Sequence, residues 1–250
     1  MQIVALTALG VGGATVVGAL IGFLFKHIPH KWNDAILGFA AGIMLAAAVL
    51  GLIIPSAELV GKSGLWMTAL GMLCGALFLN AADKLTPHLH HLTGVDAEVH
   101  RTNASINKVL LFVLAIAIHN LPEGLAAGVG FGAGDTSGAI TVAVGIALQN
   151  IPEGMIIISP MMISGISKRR TFVIAAFTGL IEVIGTFVGY FAASISGAIL
   201  PFALAFAGGT MLYVISDEMI PETHSHGYER MATYSILIGF MVMLFLDAWL

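Results

Sequence analysis

The sequence predicts an all-α membrane protein that consists almost entirely of membrane-spanning helices. Of the 250 residues, 58% are hydrophobic and only 10% are charged, whereas a soluble domain carries about 25% charged residues. The mean hydropathy is +0.97. Eight apolar stretches reach the length of about 20 residues that a spanning helix needs. We therefore expect one compact transmembrane bundle over residues 1–250 and no appended soluble domain.

The ends of the predicted spans follow from breaks in the apolar pattern. The first run continues from Met1 to Phe25 without a basic start or a clear cleavage site, which favours a span over a signal peptide. Residues 171–216 carry one charge, Glu182, and are too long for a single span, so Pro201 and the cluster at 194–197 indicate a break. The predicted spans are 3–25, 35–57, 64–82, 109–131, 138–163, 171–193, 198–220 and 231–250.

The basic residues assign the loops to two sides of the bilayer. With the N-terminus outside, nine of the ten Lys and Arg residues lie in or beside the loops that follow odd-numbered spans, and only Lys62 lies on the other side. Such an excess marks the cytoplasmic side, so both termini are predicted to be outside. The nine residues are Lys26, Lys31, Lys84, Arg101, Lys108, Lys168, Arg169, Arg170 and Arg230.

The longest predicted loop, 84–107, is polar and cytoplasmic. Each of its histidines is by itself an ordinary solvated residue, but the group at 88–91 is also a candidate for transient metal binding. Every histidine except His119 is predicted on this side. The loop histidines are His88, His90, His91 and His100.

The cysteine content excludes two kinds of site. The single Cys74 lies in an apolar run, which excludes a disulfide framework and a cysteine-based zinc site. It is interpreted as a small buried apolar residue. The net charge of −4 carries little information, because most of the surface faces lipid. Lipid and metal ions are expected as partners, and nucleic acid is not.

One short motif occurs twice. AIHNLPEG at 117–124 matches ALQNIPEG at 147–154, 30 positions later. A short loop joins the two spans, so they run antiparallel, and a motif shared by antiparallel helices indicates a pseudo-two-fold axis in the membrane plane. A weaker repeat relates FAAGIML at 39–45 to FAGGTML at 206–212. Both repeats fit an inverted-repeat bundle of three, two and three helices.

Each copy of the motif places a carboxylate near the middle of a span. Glu123 lies roughly 22 Å along the helix from Lys108 and about 18 Å from Asp135, at 1.5 Å per residue. Glu153 is similarly central in the next span. A charged side chain at this depth is rare, and it indicates a functional site by default.

Metal-ligand side chains accompany both carboxylates. His119 precedes Glu123 by four residues and Asn120 precedes it by three, so all three share a helix face. The proline of each copy lacks an N–H, which frees a carbonyl one turn back, and it is expected to break the helix beside the acid. The second copy repeats this geometry with Gln149, Asn150 and Glu153.

Glu182 in the sixth span adds a third carboxylate. Three buried carboxylates that face one cavity repel strongly and require protons or a cation, and a divalent cation is the simplest partner. One imidazole, three carboxylates and several amides suit Zn²⁺, Fe²⁺ or Mn²⁺ and are too hard a set for Cu⁺. Asp217 and Glu218 are interpreted as solvated at the cytoplasmic interface, and Met44 as core packing.

These residues resemble the ZIP (Zrt/Irt-like) family of divalent metal transporters over nearly the whole chain. The resemblance is carried by HNLPEG at 119–124, QNIPEG at 149–154 and GLIEVIG at 179–185. Gln149, where many members have histidine, is similar to the bacterial GufA-like branch. The resemblance implies import of Zn²⁺ foremost, with Fe²⁺, Mn²⁺ and Cd²⁺ as further candidates, by a homodimer in the inner membrane.

The resemblance also implies a binuclear metal site between the fourth, fifth and sixth spans, in an elevator-type transporter. Met44 matches a position in the second span that is associated with the first metal. The first metal position is matched by His119, Glu123, Gln149 and Glu153. The second is matched by Asn120, Asn150 and Glu182, together with the two shared glutamates.

Four functions remain in competition. The favoured one is a metal transporter that works by alternating access around a midplane site, without enzymatic activity or a catalytic cofactor. A passive channel would use the same polar path, and efflux stays open because the fold does not set direction. An intramembrane metalloenzyme would need an open coordination position and a base or nucleophile, and neither an HExxH motif nor a serine–histidine pairing is present.

Overall fold

The computed structural model describes residues 1–25, 28–85, 104–132, 134, 136–163, 165–195 and 197–250, with side chains except at 83, 85 and 104–116. Within these ranges the regular structure is helical and includes no strand. Residues 88–91, His27, His100 and Asp135 lie outside the described residues. The α-helices are α1 (Gln2–Gly22), α2 (His30–Ala48), α3 (Ile54–Leu85), α4 (Ala104–Gly132), α5 (Thr136–Ile163), α6 (Lys168–Ile195), α7 (Leu200–Val214), α8 (Ile220–Thr223) and α9 (Glu229–Trp249).

Six segments of the described chain are long and apolar enough to cross a membrane. One of them covers residues 30–82 and is 53 residues long. At 1.5 Å per residue it measures about 80 Å, more than twice the apolar thickness of a bilayer. A break is present at Gly61, whose φ of 62° lies in the left-handed region that glycine adopts without steric cost.

The second and seventh predicted spans each contain a π-helical turn. Helix α2 continues through the π-helical turn Val49–Ile53 directly into α3, and the break at Gly61 falls within the predicted gap at 58–63. The seventh predicted span, 198–220, corresponds to the segment Leu200–Thr223, which is long and apolar enough to cross a membrane. It consists of α7, the π-helical turn Ile215–Met219 and the start of α8.

The prolines of the repeated motif do not break their helices. Helix α4 is continuous through Pro122, and α5 is continuous through Pro152 and Pro160. The predicted break is therefore wrong. Each proline still removes one backbone hydrogen bond, but packing of the motif against neighbouring helices holds the chain helical on both sides.

The helix pairs obey an exchange rule. The most extensive contacts join α4 with α6, α3 with α7, α2 with α9, and α1 with α5. Exchanging α1 with α6, α2 with α7, α3 with α9, and α4 with α5 converts each of these pairs into another member of the set. The packing is thus organised in the same way in the two halves of the chain.

Glycine contacts repeat under the same exchange. A Cβ atom at Gly42 would overlap the carbonyl oxygen of Ile236, and one at Gly209 would overlap the carbonyl oxygen of Met72. Gly42 and Gly209 occupy matching positions of the repeat at 39–45 and 206–212. Small residues let two helix backbones approach closely in a membrane, and here they do so twice in equivalent places.

Candidate metal site

Glu182 on α6 lies at the meeting point of four helices. Its side chain is fully buried. Its Oε1 accepts hydrogen bonds from Thr15 Oγ1 on α1, at 2.6 Å, and from Asn120 Nδ2 on α4. Its Oε2 accepts from Asn150 Nδ2 on α5, at 2.5 Å. Both oxygens of this carboxylate are therefore held by side-chain donors from α1, α4 and α5.

Glu123 and Gln149 form a second link between α4 and α5. Gln149 Nε2 donates to Glu123 Oε1 at 3.0 Å, and both residues are buried. Glu153 is partly buried and completes the pair of motif carboxylates. The predicted ligands of the two motif copies, on adjacent antiparallel helices, are thus brought together with Glu182.

Four acceptor oxygens in this cluster lack a hydrogen-bond donor. All four are inaccessible to solvent, and no donor within the described part of the chain reaches them. A buried acceptor without a partner costs about 1–3 kcal/mol, so a cluster of four favours a ligand. Because these atoms are carboxylate and amide oxygens, the ligand that suits their lone pairs is a cation. They are Glu123 Oε2, Gln149 Oε1, Asn150 Oδ1 and Glu153 Oε1.

The amide nitrogens of Gln149 and Asn150 are hydrogen-bonded, whereas their amide oxygens have no donor in the part of the chain that the structure describes. Asn150 Nδ2 donates to Glu182 and also to the carbonyl oxygen of Val11, at 3.3 Å. Gln149 Nε2 donates to Glu123. Each amide group is therefore oriented by its nitrogen, and its oxygen is left as a potential ligand.

The carboxylates of the cluster are close enough to repel each other, so they require protons or a cation. Glu123 interacts electrostatically with both Glu153 and Glu182. Among the described residues, however, no group of three or more His, Cys, Asp or Glu side chains is arranged to hold one metal ion. A coordination shell at this site therefore depends on the amide oxygens of the motif as well as on its carboxylates.

His119 interacts with two acidic residues. It interacts electrostatically with Glu153, and its Nε2 lies 2.9 Å from Glu218 Oε1 in the turn after α7. The interpretation of Glu218 as a solvated interfacial residue is therefore wrong, because Glu218, in the π-helical turn Ile215–Met219, contacts His119 on α4. Asp217, beside it, is exposed as predicted.

Met44 lies in the main hydrophobic cluster, as the sequence predicts. Its side chain is 1% exposed and packs with other buried apolar residues of α2, α5 and α7. Met211 occupies the equivalent place in the second repeat and is also fully buried.

Glycines of the motif bring the site helices together. A Cβ atom at Gly124 would overlap the backbone carbonyl of Glu182, and one at Gly154 would overlap that of Thr15. Both contacts are between backbones, so neither can be relieved by a side-chain rotation. The site depends on helix distances that only glycine allows.

Thr15 bonds to Glu182 but lies outside the repeated motif, so the motif does not predict it. A weak signal for it is present, because GGATVVGALIG at 12–22 aligns with GLIEVIGTFVG at 179–189. The alignment shares three glycines and places Thr15 opposite Glu182, 167 positions later. The two residues are therefore equivalent members of the repeat, and they bond to each other.

A second polar cluster lies at another part of the bundle, where α2 begins. Asp34 is fully buried, and its Oδ1 lies 3.0 Å from His226 Nδ1 in the segment between α8 and α9. The imidazole of His226 stacks on that of His30, with ring centroids 4.3 Å apart. The Nε2 atom of His226 lies 3.9 Å from Glu222 Oε1.

The chain is a bundle of helices, several of which are long and apolar enough to cross a membrane, and it holds a buried cluster of carboxylate and amide groups that suits a cation. These two features are typical of integral membrane proteins that handle metal ions. Residues 94–247 match the family model described as ZIP zinc transporter. The chain belongs to this family.

Individual relatives extend the similarity to nearly the whole chain. The zinc transporter GufA of Myxococcus xanthus is 42% identical over 242 residues, which cover 94% of each protein. The zinc transporter ZIPB of Bordetella bronchiseptica is 38% identical over 240 residues, 94% of this chain and 77% of the relative. The zinc transporter ZIP11 of Homo sapiens is 30% identical, over 95% of this chain and 94% of the relative.

Proposed function

We propose that this protein transports divalent transition-metal ions, Zn²⁺ foremost, across a membrane and into the cytoplasm. The observation that carries the proposal is the cluster of four buried oxygen atoms without hydrogen-bond donors on α4 and α5. The zinc transporters among its relatives support Zn²⁺ as the substrate. Fe²⁺, Mn²⁺ and Cd²⁺ suit the same set of oxygen and imidazole ligands.

The proposed site has two metal positions that share Glu123 and Glu153. The hydrogen bond between Gln149 and Glu123 supports placing these two residues in one shell. Met44 is a more distant candidate, and the loop histidines at 88, 90 and 91 would receive the ion at the cytoplasmic side. The first position is assigned to His119, Glu123, Gln149 and Glu153, and the second to Asn120, Asn150 and Glu182 with the shared glutamates.

The proposed topology is a single transmembrane domain with eight spans. The exchange rule of the helix pairs supports an inverted repeat of three, two and three helices. The contact between His30 and His226 places the start of α2 and the segment before α9 at one end of the bundle, which fits one cytoplasmic side and outer termini. A homodimer in the inner membrane completes the proposal.

Alternating access at this site requires that the two faces of the bundle open in turn. The ligands on α4 and α5 are related by the pseudo-two-fold exchange, which supports two equivalent conformations of opposite orientation. Metal ligands must be deprotonated to bind, so protonation of the site would assist release. A passive channel needs no such alternation and remains the second candidate.

The decisive measurement is uptake of radioactive zinc into proteoliposomes with Glu123→Ala. This change removes the carboxylate that interacts with both Glu153 and Glu182, and we expect uptake to fall more than tenfold. Glu229→Ala at the exposed start of α9 is the matched control, and it should transport like the unmodified protein.

Two outcomes would count against the proposal, and a third would distinguish it from a passive channel. Uptake unchanged by Glu123→Ala would refute the site. Metal bound to the purified protein without flux under any gradient would favour a metalloenzyme. Zinc accumulation that follows an imposed proton gradient would argue against a passive channel.

A further inference from the structure

Thr15 is the one donor to Glu182 that is not itself assigned as a metal ligand. Its hydroxyl lies on α1, a helix that contributes no ligand to the proposed site, and its side chain is only 2% exposed. The other two donors, Asn120 and Asn150, are proposed to bind metal through their amide oxygens. Thr15 can therefore keep its hydrogen bond to Glu182 whatever those amide groups do.

We infer that Thr15 is a positioning residue that fixes the Glu182 carboxylate for the second metal position. The inference rests on the proposed function. A carboxylate that binds metal has two useful lone-pair directions, and a hydrogen bond to one oxygen orients the other. The hydroxyl of Thr15 holds Oε1 at 2.6 Å.

Helix α1 is held in place to make this contact. Gly12, one turn before Thr15, packs against the backbone of Gly179, one turn before Glu182. The carbonyl oxygen of Val11, in the same turn of α1 as Gly12, accepts from Asn150 Nδ2 at 3.3 Å. Helix α1 therefore controls both Glu182 and Asn150 without supplying a ligand.

The repeat explains why the residue at this position matters. Thr15 is the equivalent of Glu182, so a strictly symmetric site would carry a fourth carboxylate here. A carboxylate would add negative charge and repel Glu182, whereas a hydroxyl donates to it. Thr15 thus makes the site asymmetric, with one side that binds metal and one side that orients the ligand.

The test compares Thr15→Val, which keeps the side-chain shape and removes the hydroxyl, with Thr15→Ser, which keeps the hydroxyl. The purified protein in detergent is equilibrated with Zn²⁺, and the number of ions bound and their affinities are measured by calorimetry and elemental analysis. Loss of an orienting hydrogen bond costs about 10–100-fold in metal affinity. One zinc ion should be lost in Glu182→Ala, and we expect Thr15→Val to lower the affinity for that ion by at least about tenfold. Thr15→Ser should bind zinc with nearly the affinity of the unmodified protein.

Thr178→Val on α6 is the matched control. The hydroxyl of Thr178 is buried like that of Thr15, but it donates to its own helix, at the carbonyl oxygen of Ala175. Its zinc binding should be unchanged. In proteoliposomes, Thr15→Val should raise the KM for zinc and Thr178→Val should not. If Thr15→Val does not fold, Thr15→Ala and Thr15→Ser decide the question by the same comparison.

Two results would overturn the assignment of Thr15. One is unchanged zinc affinity and stoichiometry in Thr15→Val. The other is an equal loss in Thr15→Ser, which would indicate packing of the methyl group instead of hydrogen bonding. Zinc binding that survives Glu123→Ala would instead refute the proposed site itself, so the two failures are distinguishable.

Discussion

Gly12 on α1 offers a direct test of how the helices are positioned. A Cβ atom at Gly12 would overlap the carbonyl oxygen of Gly179 and lie 2.8 Å from Val183 Cγ2. The neighbouring Gly13 meets nothing within 4 Å. Gly12→Ala and Gly13→Ala therefore add the same methyl group to the same helix, one toward α6 and one toward open space.

The difference between the two variants isolates the steric effect. Replacing glycine by alanine in a helix contributes up to about 1 kcal/mol through helix propensity, and this contribution is common to both. Overpacking against a fixed backbone costs about 1–3 kcal/mol. For a protein of this size, 1 kcal/mol corresponds to about 2–4 °C in Tm. Gly12→Ala should therefore unfold about 2–12 °C below Gly13→Ala.

Thermal unfolding in detergent can be followed with a thiol-reactive dye, because the single Cys74 is partly buried. Zinc uptake provides a second readout. Separation of α1 from α6 would lengthen the 2.6 Å bond between Thr15 and Glu182, so Gly12→Ala should also transport more slowly. Equal Tm values and equal uptake in the two variants would refute the close packing of α1 on α6.

Two further predictions concern the charges of the molecule. Gln149→His replaces the hydrogen-bonded amide opposite Glu123 by a second imidazole, which titrates near neutral pH and must lose its proton to bind metal. The ratio of this variant's uptake to that of the unmodified protein should rise from about pH 5.5 to about pH 7.5, because one imidazole loses its proton over this range. A flat ratio would contradict a ligand role for residue 149. His226→Ala leaves the buried Asp34 without its imidazole partner, at a cost of about 1–3 kcal/mol. Its Tm should fall and should recover in part when Asp34→Asn removes the buried charge, whereas no recovery would contradict this pairing.

The local pattern of the sequence was sufficient to locate the helices and most of the residues that meet in the buried polar cluster. Apolar length and the carboxylates within it predict α4, α5 and α6, because hydropathy depends on neighbouring residues alone. The repeated motif also predicts the shared site of Glu123 and Glu153. The prediction of a helix break at the prolines was wrong, because both helices continue through Pro122 and Pro152. Packing around the two prolines outweighs the local loss of one hydrogen bond.

The sequence by itself determined which side chains are available to bind a cation and that they lie within apolar segments. Only the tertiary structure decided how they pair. Thr15 donates to Glu182 across 167 positions of sequence, and His226 pairs with Asp34 across 192. Glu218, in the π-helical turn Ile215–Met219, contacts His119 on α4. Such contacts depend on helix distances and rotations, which backbone contacts at glycines set, and no local pattern of residue types encodes them.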